Sequence, residues 1–287
     1  MRIPAPVRRL AFAAARRLPP GAVRAINQAR GIDAPRPVDL PPGRRVVVVA
    51  PHPDDELVGA GGTLAKHRAA GHAVRVVMVT SGEASASFAG QGADSSRSQR
   101  EAEALGALRE VGLNGDDLVF LRIPEKTLSG AGADAPAPPS GPPEGSRPSG
   151  TSAPGPPGLR ELTAALAHFQ PDLVYSPSPA DGHGVHAAVA RLVSAAVAAV
   201  ASVTQVALYE VMTPIYPTVV VDISDHMAAK RAGLGHYSSA LASFDIVRIA
   251  ESLSAYRSVH ALHGRGYAEA FTLLRPRQLA DLVVGRN

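Results

Sequence analysis

The chain of 287 residues contains no cysteine and no tryptophan, and lysine stands only at positions 66, 126 and 230. Without cysteine there is neither a disulfide framework nor a thiolate metal site, so any metal must be held by nitrogen and oxygen from His, Asp or Glu. Long apolar runs are also scarce. The run from Val46 to Ala50 is too short to span a membrane, and the Ala-rich stretch from Val185 to Val203 carries Arg191 and two serines, as a buried helix does. A secretion signal is not expected, because the apolar centre near the N-terminus is broken by arginines after about six residues. These absences lead to the expectation of a cytoplasmic protein without an integral membrane segment.

What is present is arginine, unevenly placed. Residues 1 to 45 hold ten arginines against Asp33 and Asp39, a balance of +8, which leaves about −4 for the rest of a chain whose total is +4. A basic total can mark a nucleic-acid partner. Here the excess sits in an N-terminal arm, residues 1–44, so the body of the chain that follows is not expected to bind nucleic acid. Within the arm, Val7 to Leu18 is an amphipathic helix candidate that offers peripheral membrane contact or loose packing on the domain.

From Arg45 the pattern changes. Val46-Val47-Val48-Val49-Ala50 is a β-branched run without polar alternation, as in a strand covered on both faces. A helix over 57–70, a strand over 73–79, a helix over 96–111 ending at Gly112 and a strand over 118–121 follow. Ser129 to Gly158 breaks this rhythm with Pro, Gly, Ala and Ser, and reads as a flexible surface insertion. Alternation resumes with a helix over 159–169, a strand over 172–176, a helix over 185–200, strands over 205–211 and 218–223, helices from 225 and over 250–262, and a last strand over 267–274. Strands and helices in this order predict one α/β domain over 45–287, Rossmann-like, with a mostly parallel sheet.

The chemistry is concentrated where strands end. His52-Pro53-Asp54-Asp55-Glu56 directly follows the first buried strand, at the sheet edge where open α/β folds bind ligands. An imidazole and a carboxylate three residues apart can converge on one cation when the chain between them turns tightly. A catalytic zinc site takes three protein ligands and leaves a fourth position for water, so this segment needs one more donor. Asp181-Gly182-His183-Gly184-Val185-His186 also follows a strand and precedes a helix, so it opens onto the same edge. One of its imidazoles can bind metal while the other faces the reacting group. Ser81-Gly82 ends the second strand at that edge and is expected to line the pocket. Glu56 is read as a brace for the helix after the motif.

Taken together, Pro51-His52-Pro53-Asp54-Asp55-Glu56, Gly61-Gly62-Thr63-Leu64, Arg100-x-x-Glu103, Leu121 to Pro124, Tyr209-Glu210, Val221-Asp222-Ile223, Lys230 and Tyr267 to Phe271 resemble the PIG-L/LmbE-like family of zinc-dependent N-acetylglucosamine deacetylases. The resemblance implies that His52, Asp55 and His186 hold Zn²⁺, or another divalent cation such as Fe²⁺. It implies Asp54 as general base, His183 as the residue that polarises the amide carbonyl and steadies the oxyanion, and Arg100 as a holder of sugar hydroxyls or a phosphate. The implied activity is removal of the N-acetyl group from an acetylated amino sugar, a small-molecule substrate of the kind found in thiol-cofactor or natural-product assembly. Alternatives are an amidase for a larger acyl group and a non-catalytic sugar-binding relative. Two departures stand out. Val185 occupies the place of an acidic residue that would orient the first histidine, a part Asp181 is a candidate to take, and Glu125 stands where relatives often carry Asp.

Overall fold

The computed structural model describes residues 34–83, 93–129 and 156–285. The helix expected at Val7 to Leu18 and nearly all of the 129–158 insertion lie outside the described residues. The chain divides between Pro35 and Arg36, and the elements below belong to the unit that begins at Arg36.

Eight strands form one sheet: β1 (Arg36–Val38), β2 (Arg45–Ala50), β3 (Ala73–Met78), β4 (Leu118–Phe120), β5 (Leu173–Pro177), β6 (Gln205–Tyr209), β7 (Val219–Asp222) and β8 (Ala268–Leu274). Their order is β1-β7-β8-β6-β5-β2-β3-β4. Every pairing is parallel except those of β8, which runs against both β6 and β7. This is the mostly parallel α/β sheet expected. It begins earlier than the expected boundary at Arg45, because Arg36–Val38 pairs with Val219–Val221.

Valines 46 to 49 are wholly buried because β2 is covered on both faces. Val46, Val48 and Ala50 enter one core, with α1 (Asp55–Ala69), α2 (Ala93–Glu110), α6 (Met227–Gly235) and α8 (Ile246–Arg257) contributing to it. Val47 and Val49 enter the other, built with α4 (Leu159–Phe169), α5 (Gly184–Ala198) and Leu279 of α10 (Pro276–Val284). Among the described residues, the short helices α3 (Glu125–Ser129), α7 (Ser238–Leu241) and α9 (Val259–Leu262) are the remaining α-helices. Among the described residues, no helix is long and apolar enough to cross a membrane.

Several motif residues prove to be packing devices. A Cβ at Gly62 would sit 2.7 Å from Ile223, and one at Gly59 would sit 2.3 Å from the Tyr209 ring, so α1 lies against the sheet only because these positions lack side chains. Glu269 on β8 accepts from Gly62 N (2.9 Å) and Thr63 N (2.8 Å), while Lys230 Nζ donates to Glu269 Oε1 (2.7 Å) and to Val58 O (2.9 Å). The pair is fully buried, and removal of one partner from such a pair leaves an uncompensated charge.

The topology also fixes where a site must lie. From β2 the chain continues outward to β3, and from β5 it continues the other way to β6, yet β2 and β5 are neighbours in the sheet. The connection reverses between them, and the crevice beyond the carboxyl ends of strands at such a switch point is where open α/β sheets bind ligands.

Candidate metal centre

The loops after β2 and β5 carry His52 to Asp55 and Asp181 to His186, so residues more than 120 positions apart meet at the switch point. The ring centroids of His52, His183 and His186 lie 4.6–5.3 Å from one another. Asp55 sits between two of them, with its Oδ2 3.1 Å from His52 Nδ1 and 3.2 Å from His186 Nε2. Tetrahedral zinc with bonds of 2.0–2.1 Å spaces its donors about 3.4 Å apart. The all-oxygen-and-nitrogen set of His52, Asp55 and His186 therefore fits a small divalent ion. His183 also presents a ring nitrogen within 4.8 Å of nitrogens on the other two imidazoles, so the three histidines are themselves a group that can hold a metal.

Local backbone sets this geometry. Asp54 adopts φ 124° and ψ −33°, a region that a side chain occupies at a cost of about 1–3 kcal/mol and that tends to mark functional sites. The turn is held from both sides. Asp54 N donates to Glu56 Oε2 (3.0 Å), its carbonyl receives Leu57 N and Val58 N at the start of α1, and Arg100 Nη2 donates to Pro53 O (2.6 Å). Glu56 braces the helix start, as read from the sequence, and Tyr237 OH donates to its other oxygen. Burial pushes Glu56 up to about 8.

The charges are arranged around Asp55. Burial works against its ionised form, but His186 and His52 outweigh that and hold its carboxyl far below the usual range. Burial also opposes protonation of His52 and His186, and the facing carboxylates reverse the balance: Asp55 and Glu125 raise His52 to about 9, and Asp55 and Asp181 raise His186 to about 10. Metal ligation needs neutral imidazoles, so a cation and these protons compete for the same nitrogens. Asp54 differs. Burial and the neighbouring charge of Asp55 push it up to about 7, against the pull of Arg100, whose Nη2 lies 3.7 Å away. His183, lowered by burial and by the other two imidazoles, is held toward its neutral form.

Two carboxylates stand behind the histidines. Glu125 Oε1 lies 2.6 Å from His52 Nε2, and Glu125 N in turn donates to Glu83 Oε1 (3.1 Å). Asp181 Oδ1 lies 3.2 Å from His186 Nδ1 and accepts from His183 N (2.9 Å). Asp181 thus faces the ring of His186 and only the backbone of His183, so it does not replace the missing acid as the sequence suggested. Val185 is buried in the second core, where an apolar side chain packs. The sequence marks Glu125 only as a departure from relatives that often carry Asp; its contact with His52 was not read, although its position just past β4, at the same sheet edge, was a usable signal.

A cavity of about 410 Å³ opens above these groups, lined by His52, Asp54, Asp55, Gly82, Arg100, Glu125, His183 and His186, with an apolar wall opposite. Of the expected substrate contacts, Gly82 is on the wall and Ser81 is 1% exposed and not on it. Arg100 reaches the cavity but is engaged by Pro53 O and Ser239 Oγ (3.2 Å), which makes it first a brace for the Asp54 turn.

Comparison with known proteins places this arrangement. A curated 1D-myo-inositol 2-acetamido-2-deoxy-alpha-D-glucopyranoside deacetylase of Nocardia farcinica is 32% identical over 158 residues, 54% of this chain and 52% of the relative. The chain thus spans about half the length of the curated relatives it matches. Among solved structures, the N,N'-diacetylchitobiose deacetylase of Pyrococcus horikoshii matches with a TM-score of 0.63 at 19% identity, covering 90% of this chain and 92% of that one. The 4-carboxy-2-hydroxymuconate hydratase of Pseudomonas putida KT2440 matches with a TM-score of 0.60 at 20% identity, covering 81% and 96%. At these identities the two structures share the fold, and the fold hosts more than one reaction. Residues 47–197, more than half of the chain and including both histidine loops, match the family described as PIG-L, GlcNAc-PI de-N-acetylase, and the chain belongs to that family.

Proposed function

We propose that the protein is a zinc-dependent N-deacetylase that hydrolyses the N-acetyl group of an acetylated amino-sugar glycoside, giving acetate and a free amine. The observation that carries this reading is the spacing of His52 Nδ1, Asp55 Oδ2 and His186 Nε2, 3.1 and 3.2 Å, beside a second carboxylate, Asp54, that is not part of the set. The family match and the curated deacetylase relative support it.

In this reading His52, Asp55 and His186 hold the ion, with Glu125 and Asp181 fixing the orientation of the two imidazoles. When bound, zinc supplies Lewis acidity, lowering the pKa of a water toward ~7 and polarising a carbonyl. Asp54 lines the cavity with a carboxyl that burial and Asp55 bring near neutrality, suited to accept a proton from water and return it to the departing nitrogen. Neutral His183, on the same cavity wall, is placed to donate to the carbonyl oxygen as charge develops there, a contribution whose removal typically costs on the order of 3 kcal/mol. Arg100 keeps Asp54 in its unusual backbone conformation and limits the rise in its pKa.

The test is acetate release from a panel of N-acetylated amino sugars by the wild type, Asp54→Ala and His186→Ala, with and without added zinc. Zinc-stimulated release by the wild type, lost in both variants, is expected. Equal release by all three proteins ends the proposal. A substrate panel that includes larger N-acyl groups separates deacetylation from a broader amidase activity.

A further inference from the structure

Glu210, which follows the last residue of β6, is 3% exposed and takes no place in the cavity lining. Its partner is Arg257, the last residue of α8 and 5% exposed. Arg257 Nε donates to Glu210 Oε2 (3.0 Å) and Nη2 donates to Oε1, so the two planar groups meet in bidentate form. A buried ion pair of this kind contributes little net stability, because desolvation of both charges offsets their attraction. What the pair holds is more telling. Glu210 Oε1 also accepts from Ile215 N (2.8 Å), and Arg257 Nη2 also donates to Ile215 O (2.9 Å). Both backbone polar groups of Ile215 are therefore gripped by one buried pair.

That grip closes the chain from Glu210 to Ile215 into a loop, and the loop faces the histidines. Met212 N (3.0 Å) and Thr213 N (3.2 Å) both donate to Asp181 Oδ2, and Thr213 Oγ1 accepts from Gly182 N (2.8 Å). Successive amides converge on one carboxylate oxygen only where the chain turns, and the bonds to Ile215 maintain the turn. With one oxygen fixed by these amides, Asp181 sets its other oxygen 3.2 Å from His186 Nδ1. An unbroken line of contacts thus runs from Arg257 through Ile215 and the two amides to Asp181 and His186.

We propose that Arg257 is a positioning residue of the metal centre: with Glu210 it clasps Ile215, holds the Met212 and Thr213 amides on Asp181, and so sets the His186 imidazole for the ion. This rests on the metal site of the deacetylase reading and not on the identity of the substrate.

Zinc affinity is measured on the full chain by dye competition, and Tm on the metal-free protein. Arg257→Lys keeps the charge, but a single ammonium cannot span both Glu210 oxygens and Ile215 O in the manner of a guanidinium. Glu210→Met combined with Arg257→Met removes the pair together and leaves no lone charge in the interior, a change that folded proteins commonly tolerate. Both proteins should bind zinc on the order of tenfold more weakly than the wild type, with the metal-free Tm retained. In an Asp181→Asn background the same replacements should change zinc affinity by less than about twofold, because the link through which they act is already broken. Losses of equal size in both backgrounds, or zinc affinity unaltered by either replacement, overturn the proposal. A raised KM with unchanged zinc affinity does so too, since it assigns the clasp to the cavity wall at Val211 and Met212. Unfolding of both metal-free proteins also overturns it, by making the pair part of the scaffold alone. A wild type that binds no zinc removes this proposal and the deacetylase reading together. Zinc binding with the expected dependence on Asp181, but no acetate released from any amino sugar, supports the clasp and removes the deacetylase reading.

Discussion

Asp181→Asn probes how the two loops are joined. The Asp181 carboxylate accepts from His183 N (2.9 Å), Met212 N (3.0 Å) and Thr213 N (3.2 Å) and lies 3.2 Å from His186 Nδ1. When His186 Nε2 is a metal ligand, Nδ1 carries the proton and needs an acceptor. An asparagine offers one acceptor end and one donor end. With its oxygen toward Met212 and Thr213, the amide NH₂ confronts His183 N–H and His186 Nδ1–H; turned over, it confronts the loop. Either way a donor faces donors. Loss of such an outer partner typically weakens metal binding 10- to 100-fold, roughly 1.4–2.7 kcal/mol. The assay is competition between the protein and a zinc-binding dye, with thermal unfolding of the metal-free protein run alongside. Zinc affinity within about twofold of the wild type would refute the argument that Asp181 orients a ligand.

Other consequences follow from separate parts of the molecule. Gly82→Ala places a Cβ 2.7 Å from Arg100 Nε at a residue with φ +64°, so it should displace the brace on the Asp54 turn and lower kcat more than zinc affinity, as read by steady-state kinetics and dye competition. His67 is buried between His72 Nδ1 (2.8 Å) and Tyr175 OH (2.9 Å), and burial followed by the His72 charge lowers it to about 4. Because its folded value lies below the unfolded one of about 6.5, its contribution to stability is complete above that pH and is lost as pH falls toward 4, by up to about 3 kcal/mol. The drop in unfolding free energy from pH 7 to pH 4.5 should be smaller in His67→Gln than in the wild type, measured by urea titration. Lys230→Ala strands Glu269 inside the protein and should cost about 3–5 kcal/mol, visible as loss of the folded state or a large fall in Tm.

Much of this was legible because it is local. The valine run of β2 and the His52 to Glu56 motif after it are adjacent in sequence, and a buried strand followed by polar ligands needs no long-range information to be recognised. The meeting of the two histidine loops followed from each lying after a strand of a mostly parallel sheet. What escaped depended on direction or distance. Whether Asp181 turns toward His183 or His186 is decided by side-chain torsions and by its bonds to Met212 and Thr213, which no spacing encodes. Arg100 lines the cavity, and its further bond to Pro53 O depends on how the short loop after β2 folds back, which no spacing encodes. Strand β1 is only three residues long and contains Pro37, so it carries no alternation to detect. The helix α10 was missed despite readable signals, Pro276 at its first turn and Gly285 in a left-handed conformation at its end.

The central claim is that one divalent ion is held by His52, Asp55 and His186. Crystals of the zinc-loaded protein, measured on both sides of the zinc absorption edge, test it most directly. The account predicts a single strong anomalous peak within bonding distance, about 2.0–2.2 Å, of His52 Nδ1, Asp55 Oδ2 and His186 Nε2. A peak coordinated by His183 in place of Asp55, or no peak at this cavity while zinc occupies surface histidines, would contradict it.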